Sequence, residues 1–129
     1  MKITDLKPTI VWKFFHQVTQ VPRPSKKEGK MIEFLESFAK EYKIAIKKDE
    51  AGNLLMSKPA TPGMEDRPVV VLQSHMDMVC EKNNGTKHDF DNDPIETIVD
   101  GEWLRANGTT LGADNGIGVA AELALLASD

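Results

Sequence analysis

Four consecutive residues, Val69-Val70-Val71-Leu72, are apolar on both alternating faces and lead directly into the polar stretch Gln73-Ser74-His75-Met76-Asp77. A strand that carries apolar side chains on both sides is expected inside a largely parallel sheet covered on both faces. That one segment points to an α/β fold: a mostly parallel, twisted sheet with flanking helices. It also marks residues 73–77 as candidates for a site, because ligands of open α/β sheets bind beyond the C-terminal ends of the strands.

The flanking elements fit that class. Ile10, Val11, Phe14, Phe15 and Val18 recur on one face of a helix expected from about Pro8 to Val18. Pro22 and Pro24 end it and make a short rigid connector. Ser25 and Glu28 read as a capping box for a second helix, with Met31, Ile32, Phe34, Leu35, Phe38, Ala39 and Tyr42 at helical spacing. Residues 44–59 read as two short strands around Gly52-Asn53, and Asp100-Gly101 marks a second hairpin in ETIVDGEWLRA. Residues 81–94 are polar and read as loop. From Asn115 onward the pattern is helical, with Glu122 the single charge between Val119 and Ala127. A helix apolar nearly all round has to be covered on most sides. With 129 residues and no linker, the chain is expected to be one portion of a longer domain.

Charge and cysteine content narrow the function. The net charge of −4, with both signs interspersed, favours neither nucleic acid nor an anionic membrane as partner. Arg23, Lys26, Lys27 and Lys30 form a local basic cluster, which reads as a solvated helix face. No apolar run is long enough to span a bilayer, and MKITDLKPTIVWKFF lacks a continuous apolar signal stretch; a cytoplasmic location is the expectation. Cys80, the single cysteine, permits no internal disulfide and no cysteine-based zinc site; it reads as a reduced structural thiol. Asp89, Asp91, Asp93 and Asp100 imitate the spacing of a calcium loop, but Pro94 stands where that loop needs glycine. His16 and His88 read as structural or solvated, and Trp103 as a hairpin packing residue.

Two constellations carry chemistry. In an extended segment His75 and Asp77 point to the same side, so a carboxylate can accept one ring N–H of the imidazole and leave the other nitrogen free for a metal. Alone, the triplet reads better as a polar strand end with a hydrogen-bonded histidine. The second is Gly112-Ala113-Asp114-Asn115-Gly116-Ile117-Gly118, a glycine-rich turn into the last helix. Taken in isolation, Asp114 there reads as a helix N-cap; the functional reading is a carboxylate bridging two cations.

Together, HMDMVCEKN (75–83), HDFDNDPI (88–95), DGEWLRANGTTLGADNGIGVAA (100–121) and, more loosely, PRPSKKEGKM (22–31) resemble the bacterial aminoacyl-histidine dipeptidases of the dinuclear zinc exopeptidase superfamily. The resemblance runs through the whole chain. It implies metal-dependent hydrolysis of dipeptides, Xaa-His preferred, by a two-zinc centre in which Mn2+ or Co2+ can substitute. His75 would be a zinc ligand and Asp114 would bridge both ions across a cis Asp114–Asn115 peptide. Asp77 would be the catalytic-site carboxylate that orients His75. It further implies a homodimer and a lid domain in the complete enzyme. The family's Glu-Glu pair, which supplies the general base and a further ligand, occurs nowhere in these residues. The chain alone is therefore expected to be inactive and to hold zinc weakly or not at all. The alternatives are a deacylase or tripeptidase of the same superfamily and a non-catalytic binding module that retains the fold.

Overall fold

The computed structural model describes residues 1–129. Three helices build the core. Helix α1 (Thr9–Thr19) starts behind Pro8 and buries Phe14, Phe15, Val18 and Thr19. Helix α2 (Gly29–Glu41) buries Met31, Leu35, Phe38 and Ala39, the i, i+4, i+7, i+8 spacing of one apolar stripe. Helix α3 (Ala113–Ala127) buries Gly116, Val119, Ala120, Leu123 and Ala124 against α1. Phe14 meets Phe38 edge-on at 5.5 Å between ring centroids, and Tyr42 closes the cluster at 4.6 Å from Phe38.

Helix α2 ends in a Schellman motif. The Ile44 N–H reaches the Ala39 carbonyl at 2.8 Å and the Lys43 N–H reaches that of Lys40 at 3.4 Å. Lys43 takes the left-handed conformation, φ 56°, that this stop requires and that glycine usually supplies.

Both expected hairpins form, as β1 (Ala45–Lys48) with β2 (Leu54–Ser57) and β3 (Thr97–Asp100) with β4 (Trp103–Ala106), each antiparallel. The first is closed by Asp49, whose carboxylate accepts the Ala51 and Asn53 N–H groups at 3.0 and 2.8 Å and the Asn53 amide at 2.8 Å.

The chain is α/β as the sequence implies, but the parallel sheet is not assembled within it. Val69, Val70 and Val71 are 80–89 % exposed, and no strand lies beside them to complete a ladder. The single parallel pairing is a bridge between Pro24 and Met78. The reason is one of partners: a strand is defined by neighbours, and the four strands of this chain pair only within their own hairpins. Three other expectations change. Ser25 and Glu28 form no capping box, because α2 starts at Gly29 and Glu28 instead accepts the Lys26 N–H at 2.7 Å. Asp114 does not cap α3; Gly112, left-handed at φ 72°, occupies the N-cap. Trp103 is 78 % exposed, since alternation in β4 turns Leu104 and Ala106 inward and Trp103 outward. No helix is long and apolar enough to cross a membrane.

Candidate active site

The segment after the apolar run is held in place by the connector between α1 and α2. The Met78 N–H donates to the Arg23 carbonyl at 3.0 Å and the Ser25 N–H to the Met78 carbonyl at 3.3 Å. Met78 itself is buried. This lays His75 and Asp77 along the Pro22–Ser25 connector and brings them to the start of α3. There the Asp114–Asn115 peptide is cis, and both residues depart from helical geometry.

The three residues singled out from sequence converge. His75 Nδ1 lies 3.1 Å from Asp77 Oδ1, and His75 Nε2 lies 3.0 Å from Asp114 Oδ1. Burial pulls the His75 pKa down, but hydrogen bonds to Asp114 and to Asp77, with the charges of both, leave it above its ordinary value. The Ser25 hydroxyl donates to Asp77 Oδ2, and with the nearby imidazole it holds the Asp77 carboxyl below the usual range in spite of partial burial. The order is thus Ser25, Asp77, His75, Asp114, with the Asp114 side chain 94 % exposed at the open end.

An imidazole placed between two carboxylates constrains what can occupy the site. A neutral ring that gives its proton to Asp77 turns a lone pair towards Asp114, and two acceptors then face each other. A cation between them removes the conflict, either a proton on Nε2 or a metal ion. In that respect the donor set suits a divalent metal that takes nitrogen and oxygen ligands. It is also incomplete: nowhere do three or more His, Cys, Asp or Glu side chains gather in a way that could hold an ion.

Two residues of this cluster depart from their sequence expectations. Ser25, expected to cap a helix, spends its hydroxyl on Asp77, 52 positions away. Arg23, expected on a solvated basic face, is 1 % exposed. Its Nη1 donates to the Met76 and Asp77 carbonyls at 3.2 and 3.3 Å, and its Nη2 to the Gly112 carbonyl at 2.7 Å. The signal present in the sequence is the flanking pair Pro22 and Pro24, which fixes the backbone direction at Arg23; the partner carbonyls leave no trace in side-chain identity. The rest of the basic cluster docks on the acidic loop, with Lys27 paired to Asp91 at 2.8 Å and Lys30 donating to the Asp91 carbonyl at 2.5 Å. Asp89 in turn accepts the Asp91 N–H and the Asn92 amide. Burial pushes the Cys80 thiol up, against the pull of Arg23, which disfavours the reactive thiolate. A cleft of about 730 Å3, lined by residues such as His16, Gln20, His88 and Asn107, includes none of His75, Asp77 or Asp114.

The fold matches part of the structures of known peptidases. The chain superposes on the crystal structure of aminoacylhistidine dipeptidase from Vibrio alginolyticus with a TM-score of 0.96 and 49 % identity, covering 99 % of this chain and 26 % of that one. In sequence it is 49 % identical over 128 residues to the cytosol non-specific dipeptidase of Escherichia coli, again 99 % of this chain and 26 % of the relative. A tripeptidase from Staphylococcus aureus shares the fold, with a TM-score of 0.72 at 24 % identity over 91 % of this chain. No family model matches the chain. The chain is homologous along its length to dipeptidases and spans about a quarter of the length of these relatives.

Proposed function

We propose that this chain is part of the catalytic domain of a metal-dependent dipeptidase that prefers Xaa-His substrates, acts in the cytoplasm and works as a homodimer. The observation that carries the proposal is the 3.0 Å approach of His75 Nε2 to Asp114 Oδ1, with Asp77 on the opposite ring nitrogen. In this reading His75 and Asp114 would be the residues of this chain that hold the zinc, with Asp114 shared between two ions. A bound pair of zinc ions supplies a hydroxide-like water at neutral pH and an electrophilic contact for the peptide carbonyl.

The chain's own residues do the orienting. Asp77 accepts the Nδ1 proton and so fixes the tautomer that presents the Nε2 lone pair to the metal. Ser25 keeps Asp77 in the rotamer that does so, by occupying its other oxygen. Gly112 in the left-handed region turns the backbone so that Asp114 projects from the start of α3. The exposure of Asp114 leaves room for the ligands and general base that would come from further residues of a longer polypeptide, together with a lid domain. The 129 residues alone are inactive in this reading.

The test is zinc- and manganese-dependent release of histidine from an Xaa-His dipeptide, by the longer protein and by this chain side by side. Activity in the long form only, abolished by Asp114→Ala, is the expected result. Activity in the 129-residue chain would refute the ligand assignment. Turnover of tripeptides or acylated amino acids but not dipeptides would move the protein to the tripeptidase or deacylase alternative, which shares the fold.

A further inference from the structure

We propose that Arg23 is a positioning residue that sets the spacing between the two halves of the metal site; the inference rests on the reading of His75 and Asp114 as ligands of a shared centre. One half is the His75–Asp77 segment, the other the Gly112–Asp114 turn, and nothing in sequence order brings them together. The Arg23 guanidinium joins them directly. Nη1 holds the carbonyls of Met76 and Asp77, the two residues after His75, and Nη2 holds the carbonyl of Gly112, two residues before Asp114. The backbone of Arg23 is itself bonded to Met78, so head group and main chain grip the first segment from both sides.

Three further features fit a spacer better than a stabilising ion pair. The guanidinium is buried yet faces no carboxylate in a salt bridge, and its Nε has no partner. All its direct hydrogen bonds go to backbone carbonyls, with the Asp77 charge near but not paired to it, and a buried charge held this way is a poor device for stability. The planar fork instead offers donors in a fixed geometry that a lysine cannot reproduce. Room for it is reserved on the α3 side: a Cβ at Gly112 would stand 2.5 Å from Nη2, and one at Gly116 would stand 2.6 Å from it. Two glycines of the turn that carries Asp114 are thus matched to one guanidinium from the connector.

Residues that orient metal ligands from outside typically change metal affinity or activity by about 10- to 100-fold. In the longer protein, Arg23→Lys keeps the charge but offers a single ammonium in place of the fork. The expected result is a loss of zinc affinity of about that size, read by calorimetric titration of the metal-stripped protein with zinc. At saturating zinc, kcat falls while KM for the dipeptide is unchanged, with far-UV circular dichroism as in the wild type. Gly116→Ala, which displaces the guanidinium without removing it, is the second variant and is expected to lower zinc affinity in the same direction. In an Arg23→Ala variant, added guanidinium ion is expected to restore zinc binding. Wild-type zinc affinity in both Arg23→Lys and Gly116→Ala, or a loss of affinity that only tracks loss of fold and is not rescued by guanidinium, would overturn the inference. Asp114→Ala separates this from the parent reading. If Asp114→Ala loses zinc while the Arg23 and Gly116 variants keep it, only the spacer role fails. If Asp114→Ala binds zinc normally, the proposed metal site fails and the spacer role with it.

Discussion

Gly116→Ala provides a quantitative test of how tightly the guanidinium is seated. Gly116 lies in the first turns of α3 with an ordinary negative φ, so alanine there is expected to raise helix stability by about 1 kcal/mol. The new Cβ, however, would stand 2.6 Å from Arg23 Nη2, whereas ordinary contact begins near 3.4 Å. The guanidinium has to retreat by about 0.8 Å, which carries the 2.7 Å bond to the Gly112 carbonyl beyond hydrogen-bonding range. A hydrogen bond from a charged donor contributes about 1.5–3 kcal/mol. The net effect is a destabilisation of about 0.5–2 kcal/mol. In an Arg23→Met background the apolar stem is kept and the fork is gone, so the same substitution is expected to become neutral or stabilising. Phe15, 3.1 Å from the new Cβ, limits the gain. Urea unfolding of the four members of the cycle reads the coupling, expected at about 1.5–3 kcal/mol. A coupling below about 0.5 kcal/mol, the scatter of independent sites, would show that the guanidinium moves aside freely and would refute the reasoning.

Three other outcomes are expected. Lys43→Gly removes the penalty of a left-handed side-chain residue in the α2 stop and is expected to raise unfolding stability by about 1 kcal/mol; an unchanged or lower urea midpoint would count against the motif. The hydrogen bonds from the Asn53 side chain and backbone hold the Asp49 carboxyl below its ordinary value. Its contribution to stability is therefore complete above the unfolded-chain pKa of about 3.9 and is lost as pH falls through the lower folded value; Asn53→Ala should raise the Asp49 pKa in a carboxyl NMR titration, and no movement would refute the assignment. Lys27→Ala breaks an ion pair whose partners are 64 % and 51 % exposed, so the urea midpoint is expected to stay where it is; a clear fall in the midpoint would mean that the acidic loop depends on this pair.

Much of the local structure is legible in the sequence because it is written in neighbouring residues. The stripes of α1 and α2, the two hairpins and the turn at Gly112 each depend on residues within a few positions of one another. The candidate residues His75, Asp77 and Asp114 stand out in two short motifs, and the structure adds the distances between them that sequence lacks. The features that escape a sequence reading depend on partners far along the chain. Val69–Leu72 has the composition of a covered strand, but coverage is supplied by other strands, and none here lies beside it. Ser25 satisfies every local rule for a cap yet bonds across 52 residues to Asp77. Arg23 sits among lysines and shares the look of their solvated face, while its real partners are backbone carbonyls, which every residue possesses and no side chain advertises. Trp103 shows the converse: hydrophobicity argues for burial, and strand alternation decides against it.

The reach of Arg23 has a consequence in time. Its Gly112 partner lies 89 residues later in the chain. At a synthesis rate of about 5–20 residues per second, the guanidinium waits roughly 4–18 s for that carbonyl to exist. Until then Nη1 can find the Met76 and Asp77 carbonyls, but Nη2 has no acceptor. Gly112 supplies that acceptor, and the same turn carries the Asp114 that meets His75. The last helix is in this sense the clock of the site: no earlier stage of the growing chain contains it.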